Sequence, residues 1–216
     1  MSLKIGNKES TDNIWDAIYS QRAIRYWQEM PVSRDLIKQV VEAASKAPSG
    51  SNTQPWVFMV IDENPVKNRL ADALREFYEK GQLRELVERG QETEDSSQRL
   101  MMSGAENFFM NLATAPVIVV PFLYQLTSPT NEPDSLIAGS SIYLAVQNLL
   151  LAARALGLGT LMTTAHTLIE SVIRENCEIP EDAYPAALIP MGYPSVKFGP
   201  TKRKPVEDVL RWNKWG

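Results

Sequence analysis

Two groups of residues in this chain could do chemistry together, and both are suited to binding a ligand. Arg22 and Arg25 place a pair of guanidinium groups near the start, and residues 47–56 read Ala-Pro-Ser-Gly-Ser-Asn-Thr-Gln-Pro-Trp. The second stretch sets hydroxyl, carboxamide and backbone N–H groups on a turn fixed by Pro48, Gly50 and Pro55. Such a turn offers neutral donors and acceptors to a flat ligand with polar edges. The guanidinium pair suits a phosphate, which it binds through charge-assisted, often bidentate hydrogen bonds. Together they point to a mononucleotide with a phosphate tail.

Elements on either side must hold these groups in place. Residues 13–21 read as a short helix that delivers Arg22 and Arg25 just past its end, and Ser33 is a plausible cap for a helix over 34–46, with Leu36, Ile37, Val40, Val41 and Ala44 on one face. Pro48 stops that helix. Residues 56–61 have strand composition, and Pro65 suits a first helical turn. From 67 to 99, fifteen of 33 residues are charged, with Glu76/Lys80 and Glu85/Arg89 at i,i+4 spacing, which predicts solvated helix surface. Residues 116–121 carry Val117, Ile118, Val119 and Val120 without alternation, the pattern of a strand covered on both faces. Residues 135–156 form an apolar helix whose circumference demands burial on nearly all sides, and a second subunit would supply the cover. Short strands are expected over 160–164 and 187–191, and Trp212 and Trp215 are exposed in the tail unless they dock on a partner.

Composition removes other chemistries. A net charge of −4 provides no basic field for nucleic acid or an anionic membrane, and the 135–156 stretch is interrupted by Ser140, Ser141, Gln147, Asn148 and Arg154, unlike a membrane span. One His and one Cys, His166 and Cys177, cannot assemble a zinc site or a disulfide. No Gly-x-Ser-x-Gly elbow accompanies His166, which reads as structural or as a pocket-rim residue, and Cys177 reads as helix-end packing. Hydrolysis is disfavoured, no metal is expected, and redox chemistry needs an added cofactor. The first ten residues lack the apolar centre of a secretory signal, so the cytoplasm is expected.

Four blocks, Gln-Arg-Ala-Ile-Arg-Tyr-Trp at 21–27, the 47–56 stretch, Ala-Arg-Ala-Leu-Gly-Leu-Gly-Thr at 153–160, and Met-Gly-Tyr-Pro at 191–194 with Lys-Arg-Lys-Pro at 202–205, resemble the FMN-dependent nitroreductase family in order and nearly full span. The resemblance implies an α+β fold, a mostly antiparallel central sheet surrounded by helices, with a long buried helix at a homodimer interface. It implies one domain over 1–216, a variable lid over 67–111, and a tail at 205–216 packed on the partner subunit. FMN would lie at the subunit interface. Arg22 and Arg203 match phosphate-binding positions, Ala23 between the two arginines falls at a cofactor-binding position, and Arg25 falls near the ribityl chain or pyrimidine edge. Pro48 and Ser49 match positions near the ring and ribityl chain, Asn52 and Gln54 offer carboxamides to the flavin edge, Thr163 and Thr164 align with the segment approaching flavin N5, and Gly192 falls where backbone nears the cofactor.

The implied chemistry takes place at FMN N5, with no catalytic side chain: NAD(P)H delivers hydride, and a nitroaromatic, quinone or related small molecule then accepts it in ping-pong order. Dehalogenation, dehydrogenation, flavin fragmentation and noncatalytic FMN sequestration are the alternatives. Phe77, Tyr78, Phe108 and Phe109 are either substrate contacts on the lid or ordinary core and interface aromatics. Where the family commonly has Arg-Arg-Ser, this chain has Gln21-Arg22-Ala23, which lacks one guanidinium and one hydroxyl and shifts weight onto Lys202 and Arg203.

Overall fold

The apolar run Val117–Tyr124 is the middle of the sheet. The computed structural model describes residues 10–126 and 136–215. In chain order its elements are α1 (Ile14–Ser20), α2 (Arg34–Ala44), β1 (Trp56–Ile61), α3 (Asn64–Lys80), α4 (Gln82–Gln91), α5 (Ser96–Asn111), β2 (Val117–Tyr124), α6 (Leu136–Ala155), β3 (Gly159–Thr160), α7 (Glu170–Cys177), β4 (Ala183–Pro185), β5 (Ile189–Gly192) and α8 (Val206–Val209). All strand pairs are antiparallel: β1 lines one side of β2, while β5 and β4 pair with the start and end of its other side, and β3 lies beyond β5. Successive strand side chains point to opposite faces, so β2 serves two cores. Val117, Val119 and Leu123 pack with α2 and α6; Ile118, Val120 and Phe122 pack with α3, α5 and α7.

Local signals explain the helices that flank the candidate site. Asn13 caps α1 by accepting from the N–H groups of Trp15 and Asp16, and Ser33 caps α2 by accepting from Leu36. α2 buries Leu36, Ile37, Val40 and Ala44, the stripe that helical spacing predicts. α6 stops at a Schellman motif: Gly157 adopts φ 77°, its N–H bonds to Arg154 O at 3.0 Å, and the Leu158 N–H bonds to Ala153 O at 2.7 Å. The left-handed turn requires glycine there and sends the chain directly into β3.

α6 is, among the described residues, the helix long and apolar enough to cross a membrane by length and composition. It packs instead on α1, α2 and the sheet, burying Ile142, Leu149 and Ala153 completely. The other face of α6 is open, with Leu136, Ile137, Tyr143 and Leu144 exposed. Burial on nearly all sides is therefore not achieved within one chain. The expected helix start at residue 135 lies outside the described residues, as do residues 1–9 of the leader reading and Gly216 of the tail.

Several elements differ from the sequence reading. The strand expected over 160–164 shrinks to β3, because after Thr160 the chain leaves the ladder, makes a single bridge from Thr163 to Leu188, and winds into a 3-10 turn over Ala165–Leu168. β4 was not evident, being three residues long and ending in a proline that has no N–H to donate. The expected Glu85/Arg89 ion pair is absent. Arg89 donates to the Glu85 carbonyl instead, while Arg84 pairs with Glu88 at 2.8 Å. Trp212 and Trp215 are 79% and 92% exposed.

Candidate functional site

Two extended segments carry the cations. After α1, residues 21–28 run past the sheet edge: Ala23 bridges Thr160, the Ile24 N–H bonds to Thr160 O at 2.8 Å, and Ile24 and Trp27 turn inward. Arg22 is exposed and Arg25 half-buried, and both side chains line the hollow outside that core. Residues 193–201 return alongside, with the Gln28 N–H bonded to Tyr193 O, the Ser195 N–H to Tyr26 O, and the Thr201 N–H to Tyr19 O. Arg22 Nη2 donates to Lys197 O at 3.0 Å. The pairing brings Lys202 and Arg203 to the same hollow as Arg22 and Arg25, a cavity of about 570 Å³ whose far wall is α5.

α5 is fitted to this hollow. Lys202 Nζ donates to Ser97 Oγ at 3.0 Å, and Asn107 Nδ2 donates to Arg25 O at 2.6 Å. Gly104 leaves room for the Arg25 side chain; a Cβ there would stand 3.0 Å from Arg25 Cδ. Burial pushes the Arg25 guanidinium below its ordinary pKa, opposed by the nearby Tyr26 phenol. Among the described residues, no carboxylate forms a salt bridge with Arg22, Arg25, Lys202 or Arg203. Four neighbouring cations with no protein anion repel one another, and a dianion removes that repulsion. The donor set fits a phosphate group.

The turn that carries Pro48, Ser49, Asn52 and Gln54 is elsewhere and does not line this cavity. It is a 3-10 turn over Gly50–Asn52, held by the Gln54 N–H to Ser49 Oγ at 2.9 Å, Thr53 Oγ1 to Gly50 O at 2.9 Å, and Gln54 Nε2 to Asn52 Oδ1 at 3.3 Å. The Gly50 N–H anchors it to α6 through Ser141 Oγ at 3.3 Å. Ser51, Asn52 and Gln54 have φ of 51°, 54° and 49°, left-handed values that cost a non-glycine residue about 1 kcal/mol or more each. Pro48, Asn52 and Gln54 are exposed.

Thr164 and His166 line a second cavity of about 640 Å³, bounded by Tyr143 and Leu144 of α6 and Tyr184 of β4. The Thr163 N–H bonds to Leu188 O at 3.1 Å. His166 is buried and its Nδ1 has no partner. Burial pushes its imidazole below the ordinary value of 6.5, against a smaller upward pull from the neighbouring Thr163 and Pro185 backbone and from Glu170. At Gly192 a Cβ would strike Pro116 Cδ and stand 3.0 Å from Trp27 Cδ1, so glycine there serves packing within the chain.

The family model for the Nitroreductase family matches residues 18–193. The chain belongs to the nitroreductase family. A protein of Methanothermobacter thermautotrophicus, provisionally named NADH dehydrogenase/NAD(P)H nitroreductase, is 30% identical over 217 residues, covering 100% of this chain and 94% of that protein. The iodotyrosine deiodinase of Thermotoga neapolitana is 27% identical, covering 93% of this chain and 97% of its own. The FMN-dependent nitroreductase NfnB of Mycobacterium smegmatis, solved in complex with NADPH, shares the fold with a TM-score of 0.68 at 21% identity, over 93% of this chain and 97% of that one.

This nitroreductase-family chain thus holds Arg22, Ala23, Arg25 and Arg203 in one cavity, the 48–54 residues on a separate turn, and Thr164 in the second cavity. Of the four aromatics, Tyr78, Phe108 and Phe109 are core residues, Phe109 stacking on Tyr78 at 5.3 Å and meeting Phe108 edge-on at 5.1 Å, while Phe77 keeps an exposed surface. Cys177 ends α7, and burial pushes its thiol up, as suits a packing residue. Sequence reasoning missed Ser97, Gly104 and Asn107, which look like ordinary surface residues of a charged region. It also passed over Arg154, although a charge inside an apolar helix requires a partner and was a usable signal.

Proposed function

We propose that the chain is an FMN-dependent oxidoreductase that draws electrons from NAD(P)H and delivers them to nitroaromatics, quinones or related electron-poor acceptors. The cavity of four cations without a carboxylate carries this reading. Arg22, Lys202 and Arg203 would hold the phosphate, and Arg25, turned along Gly104, would lie beside the ribityl chain or pyrimidine edge. When bound, FMN supplies two-electron transfer, so the chain needs no nucleophile or general base of its own. The residues bind, orient and shield: the cations fix the phosphate, α5 walls the hollow as the inner part of a lid, and Asn52 and Gln54 offer carboxamides to a ring edge. Donor and acceptor would use one site in turn, the arrangement that gives ping-pong kinetics.

The same reading makes the protein a homodimer. Cations and carboxamides stand on separate surfaces of the protomer, and the open apolar face of α6 lies beside the carboxamide turn through Ser141. Pairing α6 faces would cover Leu136, Ile137, Tyr143 and Leu144, and would let the 48–54 turn of one subunit complete the cation cavity of the other. Use of NAD(P)H as electron donor supports a cytoplasmic setting for the enzyme.

Reductive dehalogenation is the second reading, favoured by the deiodinase relative at 27% identity. The test is an absorbance spectrum after FMN addition and desalting, followed by anaerobic NADH or NADPH. Retained flavin bands that bleach support the oxidoreductase; bands that persist overturn it in favour of a sequestering role. NAD(P)H consumption with a nitroaromatic, against iodide release from iodotyrosine, separates the two reactions.

A further inference from the structure

Arg154 is the one cation in the α6 sequence, and it is 6% exposed in a helix otherwise built for an apolar core. A methionine there would fill similar space without the desolvation that a buried guanidinium suffers. What Arg154 touches is therefore informative. Its Nε donates to Ser20 Oγ at 2.7 Å, and the Ser20 hydroxyl donates in turn to Asp16 O at 2.5 Å. Its Nη2 meets Asp16 Oδ2 at 3.2 Å. The guanidinium carbon lies 4.1 Å from the centroid of the Phe198 ring, a cation–π geometry.

Each partner sits at the root of one basic segment. Ser20 ends α1 and is followed at once by Gln21 and Arg22; Phe198 leads through Pro200 to Lys202 and Arg203. Near the cavity those segments are held by the Thr201 N–H to Tyr19 O at 3.1 Å and by Arg22 to Lys197 O at 3.0 Å, the latter an exposed bond. Solvent competes for such a bond and weakens it. We infer that Arg154 is a positioning residue for the phosphate seat: from the core helix it clamps the roots of both cation-bearing segments, so that Arg22, Lys202 and Arg203 face one hollow before a ligand arrives. The planar fork grips α1, the flat face grips Phe198, and both demands are met only by arginine. Preorganisation of this kind lowers the ordering entropy lost on binding.

The inference rests on the flavin reading, and comparing FMN with riboflavin tests the two separately. Riboflavin has the same ring and ribityl chain but no phosphate. Flavin-free full-length protein is titrated with each ligand by fluorescence quenching, in the unsubstituted chain, Arg154→Met, Arg154→Lys and Phe198→Leu. The unsubstituted chain binds FMN more tightly than riboflavin. Arg154→Met lowers the FMN affinity about tenfold and leaves riboflavin affinity within about twofold, Arg154→Lys recovers part of the loss through Asp16, and Phe198→Leu loses about threefold by freeing one segment.

General destabilisation would weaken both flavins together, leave their ratio unchanged, and so overturn the inference. An unchanged ratio in Phe198→Leu does the same if Arg154→Met does not fold. Equal affinity of the unsubstituted chain for the two flavins overturns the phosphate seat itself, and the inference with it. A preserved preference in the unsubstituted chain with unaffected variants overturns the role of Arg154 alone.

Discussion

The cation cavity and the 48–54 turn are made in opposite ways. Arg22 and Arg203 meet because distant segments pair, α5 closes the third side, and four like charges are left without a protein anion. The turn is local, bonded mainly to itself, and spends its strain on left-handed residues. One region selects for charge and depends on long-range contacts; the other presents neutral edges and depends on a few backbone angles. A ligand engaging both needs an anionic end and a flat polar-edged end, and in the proposed dimer the second copy would unite the two surfaces.

Ligand discrimination tests that division most strongly. Arg22→Ala is expected to weaken FMN binding by about 1.5–3 kcal/mol, the range for a charge-assisted bond, roughly tenfold to a hundredfold, while sparing riboflavin. Asn52→Ala is expected to weaken both flavins alike, by about 0.5–1.5 kcal/mol for a neutral hydrogen bond. Isothermal titration of both ligands checks this, and an Arg22 effect equal for FMN and riboflavin would merge the two regions into one.

Stability should divide the regions too. Gly192→Ala forces a Cβ against Pro116 and against Trp27 of the 21–28 segment, and is expected to cost about 1–3 kcal/mol in denaturant unfolding. Gly50→Ala meets nothing within 4 Å and keeps its N–H for Ser141, so a change within about 0.5 kcal/mol is expected. A large loss at Gly50 would mean that the turn is braced by more than its own hydrogen bonds.

This asymmetry also explains what the sequence made legible. Local signals were readable: the Ser33 cap, the α2 stripe, the buried run of β2 and the turn chemistry of 48–54 all depend on neighbours in the chain. The antiparallel sheet followed from resemblance and is present. The cavity wall was hidden because Gly104 and Asn107 acquire meaning only when α5 is laid against Arg25. The packing part of Gly192 was hidden for the same reason: a buried glycine is compatible with a nearby ligand or a nearby proline, and the contact with Pro116 shows only once the chain is folded. β3 was overestimated because Thr163 and Leu188 pair beyond the ladder through a single bridge.

The turn should gain stability from a change that would harm most sites. Ser51 sits at φ 51° with an exposed side chain that makes none of the turn's hydrogen bonds, and glycine adopts that angle without a Cβ clash. Part of the gain is offset by the greater freedom of glycine in the unfolded chain. Ser51→Gly is therefore expected to raise stability by up to about 1 kcal/mol in thermal or denaturant unfolding. A loss would show that the Ser51 side chain supports the turn.

The smallest expected effect lies at His166, between the second cavity and the core. Burial holds its folded pKa below the ordinary 6.5, so as pH falls through 6.5 the unfolded chain takes up a proton before the folded one does. Where the unfolded state binds more protons, stability falls with falling pH; the contribution is fully present above 6.5 and is lost progressively toward the folded pKa. Urea unfolding between pH 7.5 and 5.5, a window above the usual carboxylate range, should show a decline that is smaller in His166→Gln. A decline unchanged in His166→Gln would assign it to other groups.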